Sequence, residues 1–108
     1  MKIKRYEIYL ANLDPTLGSE INKTRPVVIV SDDAMNNTLN TLVVCPLTTK
    51  LHLMWRSRIQ INCAKKEAEI AVDQIRTISK SRLIKKIDKL TNQDATLLRQ
   101  TITEMYGE

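Results

Sequence analysis

Aromatic, sulfur-bearing and conformationally special residues are scarce in this sequence. Its 108 residues include no phenylalanine, one tryptophan and three tyrosines. Cys45, Cys63 and His52 are its only cysteines and its only histidine. The two cysteines form no Cys-x-x-Cys pair. A secreted disulfide knot is excluded, and a zinc site, which needs about four N or S ligands at suitable spacing, is not expected. Both read as reduced core thiols, because nothing marks either as an activated partner of a Cys–His nucleophile. Two glycines and three prolines exclude collagen and a Pro/Gly-rich disordered chain. The longest apolar runs are four or five residues, far below the ~20 that a membrane-spanning helix needs. The first ten residues, MKIKRYEIYL, mix charge with apolar residues and lack a small-residue cleavage site, so no signal peptide is expected.

What is present is an ordinary globular balance: 43% hydrophobic and 27% charged residues, enough for one core without covalent staples. A single domain over residues 1–108 is expected. The net charge of +5 is spread along the chain as +2, +1 and +2 over residues 1–30, 31–64 and 65–108. A pI near 9.4 makes a polyanion such as nucleic acid a plausible partner, although mild basicity also serves solubility.

Most of the chain has period two. Tyr6, Ile8 and Leu10 point one way and Glu7 and Tyr9 the other, which reads as a strand. Asp14-Pro15 opens a polar loop through Thr24 with Gly18 as its pivot. Val27–Val30 and Leu42–Cys45 are β-branched runs typical of buried strands, the second closed by Pro46. Asp32-Asp33 can cap a short helical turn through Asn37. Arg58, Gln60 and Asn62 alternate with Ile59, Ile61 and Cys63, a strand with one exposed face. Ile70–Val72, Ile75–Ile78 and Leu83–Ile87 read as further short strands, and Ser79–Ser81 as a turn. The period then changes. Ala95, Leu98, Ile102 and Met105 form an amphipathic helical stripe, with Thr91 and Asp94 as a capping box and Gly107 as its end. Five to seven strands followed by one helix predict a small, strongly curved antiparallel sheet or barrel.

If the strands of Val27–Val30 and Leu42–Cys45 pair as antiparallel neighbours, residues whose numbers sum to about 72 face each other. Arg25 then lies opposite Leu47, beside Thr48. The loop 14–24 tethers Glu20 to the same end, and Gln74 and Arg76 can reach it from a later strand. A carboxylate, a guanidinium and the hydroxyls of Thr48 and Thr49 suit a phosphodiester. Arg presents a fork of donors to phosphate oxygens, Thr holds another oxygen, and a carboxylate can take a proton. RNA supplies its own nucleophile in the 2′-hydroxyl, so no metal is required. Each residue also has a plainer role: Glu20 as a solvated loop charge, Arg25 as a surface ion-pair partner, Thr48 as a turn cap and His52 as an exposed loop residue. Trp55, next to Arg56, reads equally as a base-stacking platform and as a core or dimer anchor.

Four segments carry a resemblance to a known family. They are Tyr6-Glu7-Ile8-Tyr9-Leu10-Ala11-Asn12-Leu13-Asp14-Pro15; Gly18-Ser19-Glu20 followed by Thr24-Arg25-Pro26-Val27-Val28-Ile29-Val30; Val43-Val44-Cys45-Pro46-Leu47-Thr48-Thr49; and Val72-Asp73-Gln74-Ile75-Arg76-Thr77-Ile78. In order and spacing they resemble the MazF/PemK/Kid toxin endoribonucleases of bacterial toxin–antitoxin systems. The resemblance implies a CcdB/PemK-type SH3-like barrel with a C-terminal helix, a homodimer in the bacterial cytoplasm, and no cofactor. It implies metal-independent cleavage of single-stranded RNA to 2′,3′-cyclic phosphate and 5′-hydroxyl ends, and a cognate antitoxin with an acidic disordered tail. By correspondence, Arg25 and Thr48 are the catalytic pair and Glu20 the base, while Gln74 lies on the RNA-contacting strand. Thr49, Trp55, Arg56 and Arg76 join Gln74 as candidate RNA-binding residues, and loop 49–57 is expected to help select the motif cut. Some relatives use an Arg/Asp/His set instead. Here Asp73 matches that Asp, but Ala71 stands at the Arg position and loop 14–24 has no His. Two other readings of the same barrel remain: a CcdB-like gyrase poison that cuts no RNA, and a non-catalytic SH3-like RNA-binding module.

Overall fold

In the computed structural model, which describes residues 2–107, seven strands and two α-helices account for the regular structure. In chain order they are β1 (Glu7–Asn12), β2 (Thr24–Ile29), α1 (Asp33–Thr38), β3 (Thr41–Thr48), β4 (Arg58–Cys63), β5 (Lys66–Ala71), β6 (Arg76–Ser79), β7 (Leu83–Lys89) and α2 (Asn92–Tyr106). Single 3-10 turns occupy Val72–Gln74 and Lys80–Arg82. The expected curled antiparallel sheet with a C-terminal helix is present.

The strands hydrogen-bond in the order β4-β5-β3-β2-β1-β7, and β6 adds to β3. β3 is the spine. It pairs with β6 over Thr41–Val44, with β2 over Val44–Pro46 and with β5 at Leu47 and Thr48. Pro46 does not close the strand as expected; it faces Val27 within the ladder. Its fixed φ suits extended backbone, and it removes only one donor.

Alternation along the strands supplies two cores. One face contributes Ile8, Val28, Cys45, Leu47, Ile59, Ile61 and Ile70, and α2 covers it with Ala95 and Leu98. The other face contributes Tyr9, Val27, Ile29, Leu42, Val44 and Ile78. Both faces of β1 are buried. Tyr9 and Glu7, on the face opposite Ile8, are buried as well, and the Tyr9 hydroxyl donates to Glu7 Oε1 at 3.2 Å. Glu7 in turn pairs with Lys86 at 2.7 Å. Burial pushes the Glu7 carboxyl up, but the Lys86 and Lys4 contacts outweigh it and leave the pKa lowered.

The caps behave as the sequence predicts. Asp32 accepts from the Met35 N–H at the start of α1, Thr91 accepts from the Asp94 N–H at the start of α2, and Gly107 closes α2. Both thiols are buried, and burial pushes the Cys45 thiol up to about 12. No helix among the described residues is long and apolar enough to cross a membrane.

Candidate active site

The β2–β3 ladder pairs Val27 with Pro46, Val28 with Cys45 and Ile29 with Val44. Facing residues therefore sum to 73, one more than expected. Continued two residues further, this register sets Arg25 across from Thr48 rather than from Leu47. Alternation gives their orientation. Val27 and Ile29 lie in the second core, as do Leu42 and Val44, so Arg25 and Thr48 fall on that same face, at its end. Arg76 joins the face because it stands opposite Val44 in the β3–β6 pair. Arg25 and Thr48 are both half-buried. Arg25 Nε donates to the Asn22 carbonyl at 3.3 Å, and Thr48 Oγ1 accepts from the Lys50 N–H at 3.2 Å.

Loop 13–23 is laid across this end by polar anchors. The Ile21 N–H donates to Gln74 Oε1 at 2.6 Å, the Lys23 N–H donates to Asp14 Oδ1 at 2.8 Å, and Arg82 Nη1 donates to the Asn12 and Asp14 carbonyls. Gly18 sits at φ +58°, where a side chain would be strained. Glu20 is exposed on this loop and accepts from the Leu17 N–H at 2.6 Å.

Two adjoining clefts open where the loop meets the sheet. One, of about 340 Å³, is lined by Glu20, Gln74 and Arg76 among others. Its neighbour, of about 410 Å³, is lined by Thr48, His52, Trp55, Arg58 and Gln74. Ser19, Ile21, Asp73 and Gln74 line both, so Gln74 is the hinge of one continuous groove. Arg76 Nη1 is buried there without a hydrogen-bond partner among the described residues. Thr49 is exposed beside Thr48. Arg56 lies elsewhere: it lines a separate cleft with Glu104, 3.9 Å away, and its side chain is 93% exposed.

Sequence reading missed a charged cluster under loop 49–57. Glu69 is fully buried. Its carboxylate accepts from the His52 N–H at 2.5 Å, His52 Nδ1 at 2.9 Å, Arg58 Nη1 at 2.7 Å and Gln60 Nε2 at 2.8 Å. Arg58 also binds Asp73 through Nε at 2.8 Å. His52 Nδ1 lies 3.1 Å from Arg58 Nη1. Two donors meet there, so the proton on Nδ1 goes to Glu69 and the Arg58 contact is steric. Burial pushes the Glu69 carboxyl up, but these four donors prevail and hold its pKa at about 2. Asp73 is lowered too: Arg58 and Ser57 outweigh its partial burial.

His52 and Arg58, both expected at the surface, are thus largely buried, with side chains 21% and 5% exposed. The reason is that loop 49–57 folds back over β4 and β5. Trp55 is half exposed, with its ring stacked on His52 at 4.0 Å and the Arg58 guanidinium 4.7 Å from its centroid. It is a surface aromatic, not a core anchor. Among the described residues no three His, Cys, Asp or Glu side chains gather as a metal site.

Known proteins share this fold. A family model described as PemK-like, MazF-like toxin of type II toxin–antitoxin system matches residues 4–106. The chain is 33% identical over 110 aligned residues to Endoribonuclease MazF of Staphylococcus saprophyticus, covering 97% of this chain and 92% of that protein. The crystal structure of MazF from Deinococcus radiodurans superposes with a TM-score of 0.88 at 16% identity, covering 100% of this chain and 99% of the other. A mycobacterial endoribonuclease solved in complex with its cognate antitoxin superposes at 0.82 with 19% identity, covering 97% and 95%. At those identities the solved structures speak for the fold.

Proposed function

The chain belongs to the PemK-like, MazF-like toxin family of type II toxin–antitoxin systems, and from that premise we propose that it is an endoribonuclease that cuts single-stranded RNA without a metal. A relative 33% identical bears the name endoribonuclease. The observation that carries the reading is the β2–β3 register, whose continuation supports Arg25 as facing Thr48, a residue of the groove wall.

In the proposed reaction a ribose 2′-oxygen attacks the adjacent phosphorus. The O2′–P bond forms as the P–O5′ bond breaks. The 2′-hydroxyl proton passes to the Glu20 carboxylate, and the departing O5′ takes a proton from water. Arg25 stabilises the charge that builds on the non-bridging oxygens, and the Thr48 hydroxyl holds one of them. Arginine keeps its proton at neutral pH, so Arg25 acts as a fixed cation rather than as the acid. Buried and unpaired, Arg76 Nη1 gains an acceptor when RNA occupies the groove, and Gln74 offers a neighbouring amide. Thr49 and Trp55 extend the contact surface along loop 49–57, and Arg56, on the neighbouring cleft that Trp55 also lines, adds positive charge.

The net charge of +5 suits both a nucleic acid and an antitoxin with an acidic tail, and a structural relative is described with its cognate antitoxin. We place the chain as a homodimer in the bacterial cytoplasm, where its RNA would be met. The test is incubation of the protein with single-stranded RNA in EDTA. Discrete fragments support the reading. Retention of RNA without scission favours a non-catalytic RNA-binding module, and trapped gyrase–DNA complexes without scission favour a CcdB-like poison.

A further inference from the structure

Glu69 stands directly opposite Thr48 in the β3–β5 pair, and Gln60 stands opposite Glu69 in the β4–β5 pair. Facing residues share one side of a sheet. A single row thus runs across three strands from Thr48 through Glu69 to Gln60, with Arg25 continuing it on β2. Most residues on this face that lie over the groove are exposed or half-exposed, but Glu69 is sealed. All four of its lone-pair sites are taken, two of them by His52. A carboxylate so saturated has no free site for a substrate proton, so it does not act as a base.

What it does hold is the loop. His52 is fixed by its backbone N–H and by its ring, and Arg58 is fixed between Glu69 and Asp73. The two groups lie 3.1 Å apart, so both press on the same side of the Trp55 indole. Trp55 keeps half of its surface exposed, and it lines both the cleft that contains Thr48 and Gln74 and the neighbouring cleft of Arg56 and Glu104.

We infer that Glu69 is a positioning residue of the groove: it clamps His52 and Arg58 so that they brace Trp55 from behind, and the free face of Trp55 stacks on an unpaired base of the RNA next to the cut. This rests on the RNA-cleavage reading. Stacking accepts every base, so the platform governs how tightly RNA is held rather than which motif is cut.

Trp55 is the only tryptophan, so its fluorescence reports on the clamp without reference to activity. The experiment compares the wild-type chain with Glu69→Gln, Trp55→Ala and Trp55→Phe. It measures acrylamide quenching of Trp55 where the tryptophan is kept, and kcat and KM on a single-stranded RNA oligonucleotide. Glu69→Gln should raise the quenching constant at least twofold and increase KM, with kcat within about threefold of wild type. Trp55→Ala should increase KM about 10- to 100-fold, the loss expected for one base stack, and Trp55→Phe should recover most of it. If Glu69→Gln does not fold, His52→Ala, which removes the ring that Glu69 holds against Trp55 and leaves the His52 N–H contact, must show the same rise in quenching. The inference is overturned if quenching is unchanged in Glu69→Gln or His52→Ala, or if Trp55→Ala cleaves with wild-type KM. A wild-type chain that cuts no RNA while Glu69→Gln still loosens Trp55 would leave the clamp standing and sink the cleavage reading instead.

Discussion

Thr48 and Glu69 face each other across β3 and β5, yet one is half-open to the groove and the other is sealed beneath it. The pair divides the labour of the site. In the proposed reaction Thr48 offers a hydroxyl to substrate, while Glu69 spends its whole hydrogen-bonding capacity on the wall beside it.

Arg25 carries the largest expected effect on rate. It is half-buried, with one long hydrogen bond to the Asn22 carbonyl, so its removal should cost little stability. Arg25→Ala should lower the RNA cleavage rate by about 10²–10³, the usual loss of one electrostatic stabiliser. Its thermal melt should stay within a few degrees of wild type. Single-turnover cleavage and calorimetry on the same sample check both.

Acid should unfold the protein partly through Glu69. Its carboxyl titrates near 4.5 when exposed and at about 2 in the fold. Between those values the unfolded chain binds more protons than the folded one, so stability rises with pH there and is lost as pH falls from about 4.5 to 2. Glu7 and Asp73 shift in the same direction. Urea denaturation across pH 2–5 should show a shallower slope in Glu69→Gln than in wild type. The difference should be at most about 3 kcal/mol, from ~1.4 kcal/mol per pKa unit.

The thiols should be silent in the native state. Both cysteines are buried and both are pushed up by burial, Cys45 to about 12. Titration with a disulfide reagent at pH 8 should register almost no fast reaction, then two thiols after addition of guanidinium.

Leu98 ties α2 to the sheet and is fully buried. Leu98→Ala should destabilise by about 2–5 kcal/mol, and Thr91→Ala at the cap by about 1 kcal/mol. Denaturant midpoints at constant m-value check both.

Where period and capping were unambiguous, the sequence was a sound guide. β4 runs from Arg58 to Cys63, α2 starts at the Thr91–Asp94 cap, and the two valine-rich strands pair as neighbours. Arg25, Thr48 and Glu20 could be placed near one another from the chain because each lies on or within a few residues of the two valine-rich strands, and Gln74 and Arg76 because Ile75–Ile78 also reads as a strand. The register missed by one because the α1 connection fixes where the ladder begins, and no local pattern encodes that. The Glu69 cluster was hidden for a different reason. β4 and β5 are joined at Ala64 and Lys65, both at positive φ (50° and 68°). Such turns are ordinarily flagged by Asn-Gly or Asp-Gly. Here the Ala64 N–H is held by Asp88 Oδ2 at 2.7 Å instead, a contact from 24 residues away. Without that turn, Glu69 could not be set beside Gln60, and His52 read as a solvated loop residue.

In the proposed reaction the ribose is the nucleophile, with Arg25 and Thr48 around the phosphate. The most direct measurement cleaves an RNA oligonucleotide in EDTA, beside a copy carrying one 2′-deoxy residue on the 5′ side of the cut, and determines the fragment ends by mass. The prediction is a 2′,3′-cyclic phosphate and a 5′-hydroxyl from the first and no cut in the second. Cleavage of the 2′-deoxy copy at the same bond, or a 5′-phosphate on the product, would contradict it.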